Sequence, residues 1–172
     1  MNKGIKIFVT GGTFDKEYDM ITQQLSFRDT HLREIFNLSR CTLDFNILTL
    51  MMIDSLQMTD KHRKIIRLNC EISEEDQIII THGTDTMAKT ARTLAAAKLP
   101  KTIVLTGAMI PYKFGASDAF FNLGNALAFV QVLQHGVYIA MNGRFFMWDN
   151  VQKNQSSGLF EETNDKSLLV EN

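Results

Sequence analysis

Short runs of β-branched and apolar residues recur along the chain, each followed by a longer stretch with apolar positions three and four apart. Ile5 to Thr10 (IKIFVT) reads as a first strand and Leu43 to Leu50 (LDFNILTL) as a second. Gln77 to His82 (QIIITH), Thr102 to Thr106 (TIVLT) and Val137 to Met141 (VYIAM) follow. Runs this short and this apolar are expected to be covered on both faces, as strands are in a parallel sheet between helices. The intervening stretches supply the helices. Asp29 or Thr30 is placed to cap one that carries Leu32, Ile35 and Phe36 on one face, and Thr59 to cap one that ends near Cys70. An alanine-rich helix spans about Asp85 to Lys98 and stops before Pro100. Another runs from about Ser117 to Gln134 with Phe120, Leu123, Leu127 and Val130 along one side. This alternation predicts an α/β fold with a doubly wound, mainly parallel sheet and helices on both faces. No repeat or Pro/Gly/Ser-rich linker interrupts it, so residues 1–172 are expected to form a single domain with a looser tail after about Gln155.

Composition and charge narrow the function classes. Hydrophobic residues make up 45% of the chain and charged residues 22%, with 18 basic and 19 acidic residues and a formal net charge of −1. That balance gives no electrostatic ground for nucleic acid or an anionic membrane as a partner. No apolar stretch is long enough to span a bilayer, and Met1-Asn2-Lys3-Gly4 runs into a strand-like segment without the apolar core of a signal peptide. The expected location is the cytoplasm. Cys41 and Cys70 form no CxxC pair and read as reduced, partly buried thiols. His31 and His62 fall on helical stretches and are expected at the surface. His135 sits at a helix end, and His82 reads as a buried histidine beside a polar strand end.

The strand ends hold the candidate chemistry. The first strand runs into Thr10-Gly11-Gly12-Thr13, the third into Thr81-His82-Gly83-Thr84-Asp85, the fourth into Thr106-Gly107-Ala108-Met109 and the fifth into Asn142-Gly143. In an open parallel sheet these carboxyl ends share one edge, so several hydroxyls, one aspartate and a set of close-approach glycines converge on one crevice. Glycine there lets backbone N–H groups reach a ligand, as an oxyanion hole requires. Each segment has a plain alternative. Gly-Thr-Asp-Thr ahead of a helix is an N-cap signature, and Thr-Gly-Gly-Thr can be a tight turn or an anion nest. The nucleotide fingerprints GxGxxG and GxxxxGK[ST] are absent, as are GxSxG, HExxH and metal-type Cys/His spacings, so neither a cofactor nor a metal is expected.

Taken together, the segments Val9-Thr-Gly-Gly-Thr13, Ile80-Thr-His-Gly-Thr-Asp-Thr-Met87 and Leu105-Thr-Gly-Ala-Met109, with Phe121-Asn-Leu123 following, resemble the N-terminal domain of the bacterial-type L-asparaginases. The resemblance reaches about Asn154 and implies a flavodoxin-like sheet, matching the fold read from periodicity. It implies that Thr13 is the primary nucleophile and that Thr84 and Asp85 work with a lysine. The segment from Met141-Asn142 to Val151-Gln-Lys153 points to Lys153, which by itself would read as a solvated loop residue. A threonine hydroxyl is a weak nucleophile that needs a base beside it, and a lysine amine serves as one only where burial favours loss of its proton. On this reading Thr13 forms an acyl-enzyme with L-asparagine, ammonia leaves, and a water activated near Thr84 and Lys153 releases aspartate.

The resemblance also implies a substrate cradle. Asp54-Ser55-Leu56-Gln57-Met58 is similar to the family's substrate loop, with Ser55 toward the substrate carboxylate and Asp85 toward the ammonium. Leu56 stands where a polar side chain is expected, with Gln57 as the compensating group. The backbone of Gly12, Gly83 and Ala108 completes the cradle. The loop after Thr13 is shorter than the family's, and Tyr18 is its candidate helper of the nucleophile, with Asp15 and Lys16 as alternatives. The family's smaller C-terminal domain is expected to be absent from this chain. Arg144-Phe-Phe-Met-Trp148 reads as a core hairpin, with a site cover or an interface patch as alternatives. A homodimer or larger assembly is expected. The competing readings are an amidase for glutamine, D-asparagine or another small amide, and a non-catalytic amino-acid-binding module.

Overall fold

Strands that are apolar at every position have to lie inside the sheet, and the burial of β-branched runs orders this one. In the computed structural model, which describes residues 4–163, the strands are β1 (Ile5–Gly11), β2 (Lys16–Asp19), β3 (Gln24–Phe27), β4 (Phe45–Ile53), β5 (Gln77–Thr81), β6 (Thr102–Thr106), β7 (Gly136–Met141), β8 (Arg144–Met147), β9 (Gln152–Lys153) and β10 (Phe160–Glu161). The helices are α1 (Leu32–Leu38), α2 (Asp60–Ile72), α3 (Met87–Ala95) and α4 (Ala119–Val132). The main sheet has the order β4-β1-β5-β6-β7-β8, with β8 antiparallel to β7 and the other pairings parallel. The mainly parallel α/β sheet expected from the alternation is therefore present.

Successive side chains of a strand face opposite ways, so each inner strand feeds two cores. Ile78, Ile80, Ile103, Leu105, Ile139 and Met141 pack with Ile66 and Cys70 of α2 and with Met87 and Leu94 of α3. Ile79, Val104, Tyr138 and Ala140 face the other way, onto Leu32, Ile35 and Phe36 of α1 and Leu123, Ala126 and Val130 of α4. Burying each such aliphatic side chain contributes roughly 1.5–3 kcal/mol, which holds the sheet rigid between its helices. Cys70 is buried among these residues, and burial pushes its thiol up to about 12, so it packs as a small apolar group.

Several expectations are corrected. The second strand runs to Ile53 instead of Leu50, because Gly11 carries β1 one pairing further through an irregular step opposite Ile53. As an edge strand it is only partly covered: Phe45, Ile47 and Met52 pack on one core and Leu50, Met51 and Ile53 on the other, while Leu48 is exposed. The segment after Thr13 forms the antiparallel hairpin β2–β3, turned by Asp19, whose carboxylate accepts from Ile21 and Thr22 N–H, and by Gln23 at φ 56. His31 is buried at the start of α1, not at the surface. His62 is half-buried, its Nδ1 accepting from the Thr59 N–H in a capping box. Arg144–Met147 is the sheet-edge hairpin strand β8, with Phe146 in the core and Phe145 and Met147 exposed. Residues from Gln155 to Thr163 fold back as β10 onto β9, and the expected tail beyond them lies outside the described residues.

Candidate active site

With only the parallel strands counted, the order is second-first-third-fourth-fifth, and chain direction across the sheet reverses between β1 and β5. Ligands of open α/β sheets sit at the carboxyl ends of strands beside such a switch. Here β1 ends in Gly11-Gly12-Thr13 and β5 in Thr81-His82-Gly83-Thr84. The two loops touch: Gly12, at φ 85, lies so close to Gly83 that a β-carbon would overlap the Gly83 amide. The backbone can cross there because position 12 carries no side chain, and a β-carbon on Gly83 would overlap Ser55 instead. Gly12 N–H donates to Ile53 O at 3.0 Å, bringing the end of β4 and its Asp54-Ser55 turn alongside.

Thr84 and Asp85 do not cap α3, contrary to the N-cap reading; α3 begins at Met87 after Thr86. Their polar atoms are taken by Lys153 instead. The Lys153 Nζ donates to Thr84 Oγ1 at 2.9 Å and lies 2.7 Å from Asp85 Oδ1. Only 10% of the Lys153 side chain is exposed, against 37% for Asp85, so the amine is enclosed while the carboxylate meets solvent. An ion pair so shielded from water is stronger than a surface pair. Thr13 is half-buried on the facing loop, and its hydroxyl has no hydrogen-bond partner among the described residues.

Ser55 lies against Gly83 and is 1% exposed, with an Oγ that has no partner among the described residues. A buried hydroxyl without a partner is costly to keep and points to a ligand group that completes it. Gln57 and Leu56 are exposed on the same turn. Ala108 is buried after β6, and the next residue, Met109, brings its Sδ within 3.5 Å of Thr84 Oγ1. Tyr18 lies elsewhere: it is 54% exposed on β2 opposite Leu25 and makes no side-chain hydrogen bond among the described residues. Lys16 pairs with Asp54 at 2.6 Å, which holds the Asp54 carboxyl below its ordinary range and ties the hairpin to the Ser55 turn. Asp15 is fully buried, and its Oδ1 accepts from His31 N–H and Thr30 Oγ1. Thr30 Oγ1 in turn accepts from Leu32 N–H at 3.4 Å, so Asp15 and Thr30 together hold the start of α1, while Asp29 reaches only the Thr30 N–H.

A buried polar network behind the site has no counterpart in the sequence pattern. Arg63 of α2, 1% exposed, donates to Met58 O, Thr86 Oγ1 and Thr90 Oγ1, and Thr86 Oγ1 in turn donates to Ser55 O. Burial drives His82 down to about 4, so it is neutral: Nδ1–H donates to Gly83 O while Nε2 accepts from Thr90 Oγ1. This network locks the Ser55 turn to the Gly83-Thr84 loop. Arginine on a polar helix stretch resembles any surface residue, and only its partners, 23 and 27 residues away, reveal it. Among the described residues no group of three His, Cys, Asp or Glu side chains could hold a metal ion, and no helix is long and apolar enough to cross a membrane. A groove of about 500 Å³ is lined by other residues, among them Phe129 of α4 and Phe145, Met147 and Arg144 of β8; it holds no nucleophile, so side-chain geometry locates the site better than concavity.

The chain is similar in sequence and in fold to known proteins. The family model described as Asparaginase, N-terminal, matches residues 4–169. An L-asparaginase of Thermococcus kodakarensis is 41% identical over 88 residues, which are 50% of this chain and 27% of that protein. A glutamyl-tRNA(Gln) amidotransferase component of the same organism is 34% identical over 149 residues, 77% of this chain and 33% of that one. The solved structure of a thermostable L-asparaginase from T. kodakarensis superposes with a TM-score of 0.80 at 27% identity, covering 93% of this chain and 51% of the other. The chain thus spans about half the length of that structure.

Proposed function

The chain belongs to the asparaginase family, in the part described as its N-terminal domain, and from that premise we propose that it hydrolyses the side-chain amide of L-asparagine through a threonine nucleophile. The observation that carries the proposal is the Lys153 amine held by both Thr84 Oγ1 and Asp85 Oδ1 beside the Thr13 loop. A binding module has no use for a lysine enclosed against a threonine hydroxyl; proton transfer does.

In the proposed reaction, Thr13 Oγ attacks the amide carbon and its proton passes to the departing nitrogen, so the C–N bond breaks and ammonia leaves. An aspartyl ester of Thr13 remains. Water then adds to the ester carbon with Lys153 as the neutral amine: the water's proton passes to Thr84 Oγ1, that of Thr84 to Lys153 Nζ, and the lysine returns it to Thr13 Oγ as that oxygen leaves, while Asp85 keeps the lysine in place. Aspartate is released and the Thr13 hydroxyl is restored. Ser55, buried and without a partner among the described residues, meets the substrate carboxylate, and Asp85 and Gln57 face its ammonium. The N–H groups of the Gly12 and Gly83 loops, with the backbone of Ala108, stand where an oxyanion develops. Tyr18 requires movement of the β2–β3 hairpin to join them. A second reading keeps the chemistry and changes the amide to glutamine, D-asparagine or another small amide; the long match to an amidotransferase component favours it.

The single domain over residues 1–172 and the cytoplasmic address belong to this proposal. So does self-association, through the exposed Phe121, Val132, Phe145 and Met147 beside the sheet edge. The test is ammonia release from millimolar L-asparagine, glutamine and D-asparagine. Thr13→Ala and Thr84→Ala are expected to lower kcat at least about 10³-fold, as loss of a covalent nucleophile or its base does. Ligand binding with no ammonia from any of the three would leave the binding-module reading in its place.

A further inference from the structure

Lys153 sits on a two-residue strand, and short strands do not hold a side chain still by their own pairing. The hairpin is anchored by Val151 and Phe160 in the core and by Asn154, whose N–H donates to Leu159 O, and a line of amide groups running back into the core adds a further tether. Phe160 of β10 is the pairing partner of Lys153, and its N–H donates to Asn142 Oδ1 at 2.9 Å. Asn142 N–H donates to Asn122 Oδ1 at 3.1 Å. Asn122 is fully buried in α4, and its Nδ2 donates to Gly107 O at 3.0 Å and to Asp118 Oδ2 at 2.9 Å. Asp118 also accepts from the N–H groups of Met109 and Ile110. Met109 reaches Thr84 Oγ1 through its sulfur, so the same hub holds the loop on the other side of the contact.

The turn at Asn142 needs no asparagine for its shape alone. Met141 pairs with Arg144 across a two-residue Asn142-Gly143 turn with both φ positive, 56 and 80. Glycine, aspartate or asparagine serves such a turn. The side-chain carbonyl of Asn142 has a second task that the turn does not set: it ties the β9–β10 hairpin to the end of β7.

We infer that Asn142 is a positioning residue for Lys153: its carbonyl on the Phe160 N–H sets the register of the β9–β10 hairpin so that the amine meets Thr84 and Asp85. The effect on turnover rests on the function proposed above, whereas the placement of the lysine does not. Removing the tether leaves the turn intact and lets Lys153 sample solvent.

The experiment measures reductive methylation of individual lysines by peptide mass spectrometry in the whole chain, with exposed Lys89 as the internal reference. Asn142→Gly keeps the turn and deletes the carbonyl; methylation of Lys153 relative to Lys89 is expected to rise roughly 5- to 30-fold, the effect of losing about one or two kcal/mol of tethering. Asn142→Asp, which keeps an acceptor at the same place, returns Lys153 to the wild-type rate. With L-asparagine, the glycine variant is expected to lose about 10- to 100-fold in kcat with KM little changed, as misplacement of a catalytic group does. If the glycine variant fails to fold, Asn142→Ser, too short to reach Phe160, is read in the same way. Lys153 methylation within about twofold of wild type, or a rise shared equally by Lys89, overturns the inference. A wild-type chain that releases no ammonia but shows the methylation pattern refutes the proposed function and leaves the positioning role standing.

Discussion

Asp15 lies two residues after the candidate nucleophile Thr13 and His82 two residues before Thr84, and both are buried with displaced titrations of opposite consequence. Burial pushes Asp15 up to about 6, against the pull of the His31 N–H and the Thr30 hydroxyl. Because its folded value is raised, its contribution to stability is full below about pH 4 and is lost as pH rises through 6. His82, driven down to about 4 by burial, contributes above about pH 6.5 and loses that contribution as pH falls toward 4. Each shift corresponds to about 3 kcal/mol, so the two offset each other across the same window. Asp15→Asn removes one of them. In urea unfolding the stability of wild type relative to Asp15→Asn is expected to be about 2 kcal/mol more favourable at pH 4 than at pH 7. An equal difference at both pH values would show that Asp15 titrates normally. At this scale the sequence is readable where motif and chemistry coincide, as at Thr84, Asp85 and Lys153, whose contact the structure displays. It is silent on Asp15 as an anchor for the start of α1, because a partner 15 or 16 residues away leaves no local pattern.

Elements are legible in proportion to how much apolar surface they bury. β5 and β6, fully sandwiched, lie within a residue of their expected bounds, whereas β4 extends three residues further because an edge strand is fixed by its partner's register and not by its own pattern. The β2–β3 hairpin escapes pattern reading since Lys16-Glu-Tyr-Asp19 and Gln24-Leu-Ser-Phe27 bury little and carry no Asn-Gly turn signal. The start of α3 shifts from its expected place because a competing partner, Lys153, takes the capping groups. The crossing of the β1 and β5 loops makes its own prediction. Gly12→Ala would add a β-carbon that overlaps the Gly83 amide at a φ of 85. The substitution should cost at least about 2 kcal/mol in thermal or urea unfolding. A variant as stable as wild type would mean that the two loops separate freely.

The whole molecule is where sequence pattern says least. Periodicity yields five parallel strands with helices between them, but not the order that sets the switch point between β1 and β5, and not the meeting of Lys153 with a threonine 69 residues earlier. That contact is reachable only through the family resemblance, because a lysine in a polar loop has no signature of its own. The exposed apolar edge is also a property of the assembled sheet: Phe129 and Phe145 meet edge-to-face with ring centroids 5.3 Å apart, in a groove that Met147 also lines. If that face joins two copies, Phe145→Asp should shift sedimentation from dimer or larger to monomer; a wild-type monomer would assign the face no such role. In the proposed reaction everything turns on Lys153, which, held on Thr84 and Asp85, moves the protons of amide hydrolysis. Lys153→Met, assayed for ammonia release from L-asparagine alongside calorimetric binding of aspartate, puts this to the test. A loss of turnover of at least about 10³-fold with binding retained is expected; turnover equal to that of the unaltered chain would contradict the assignment.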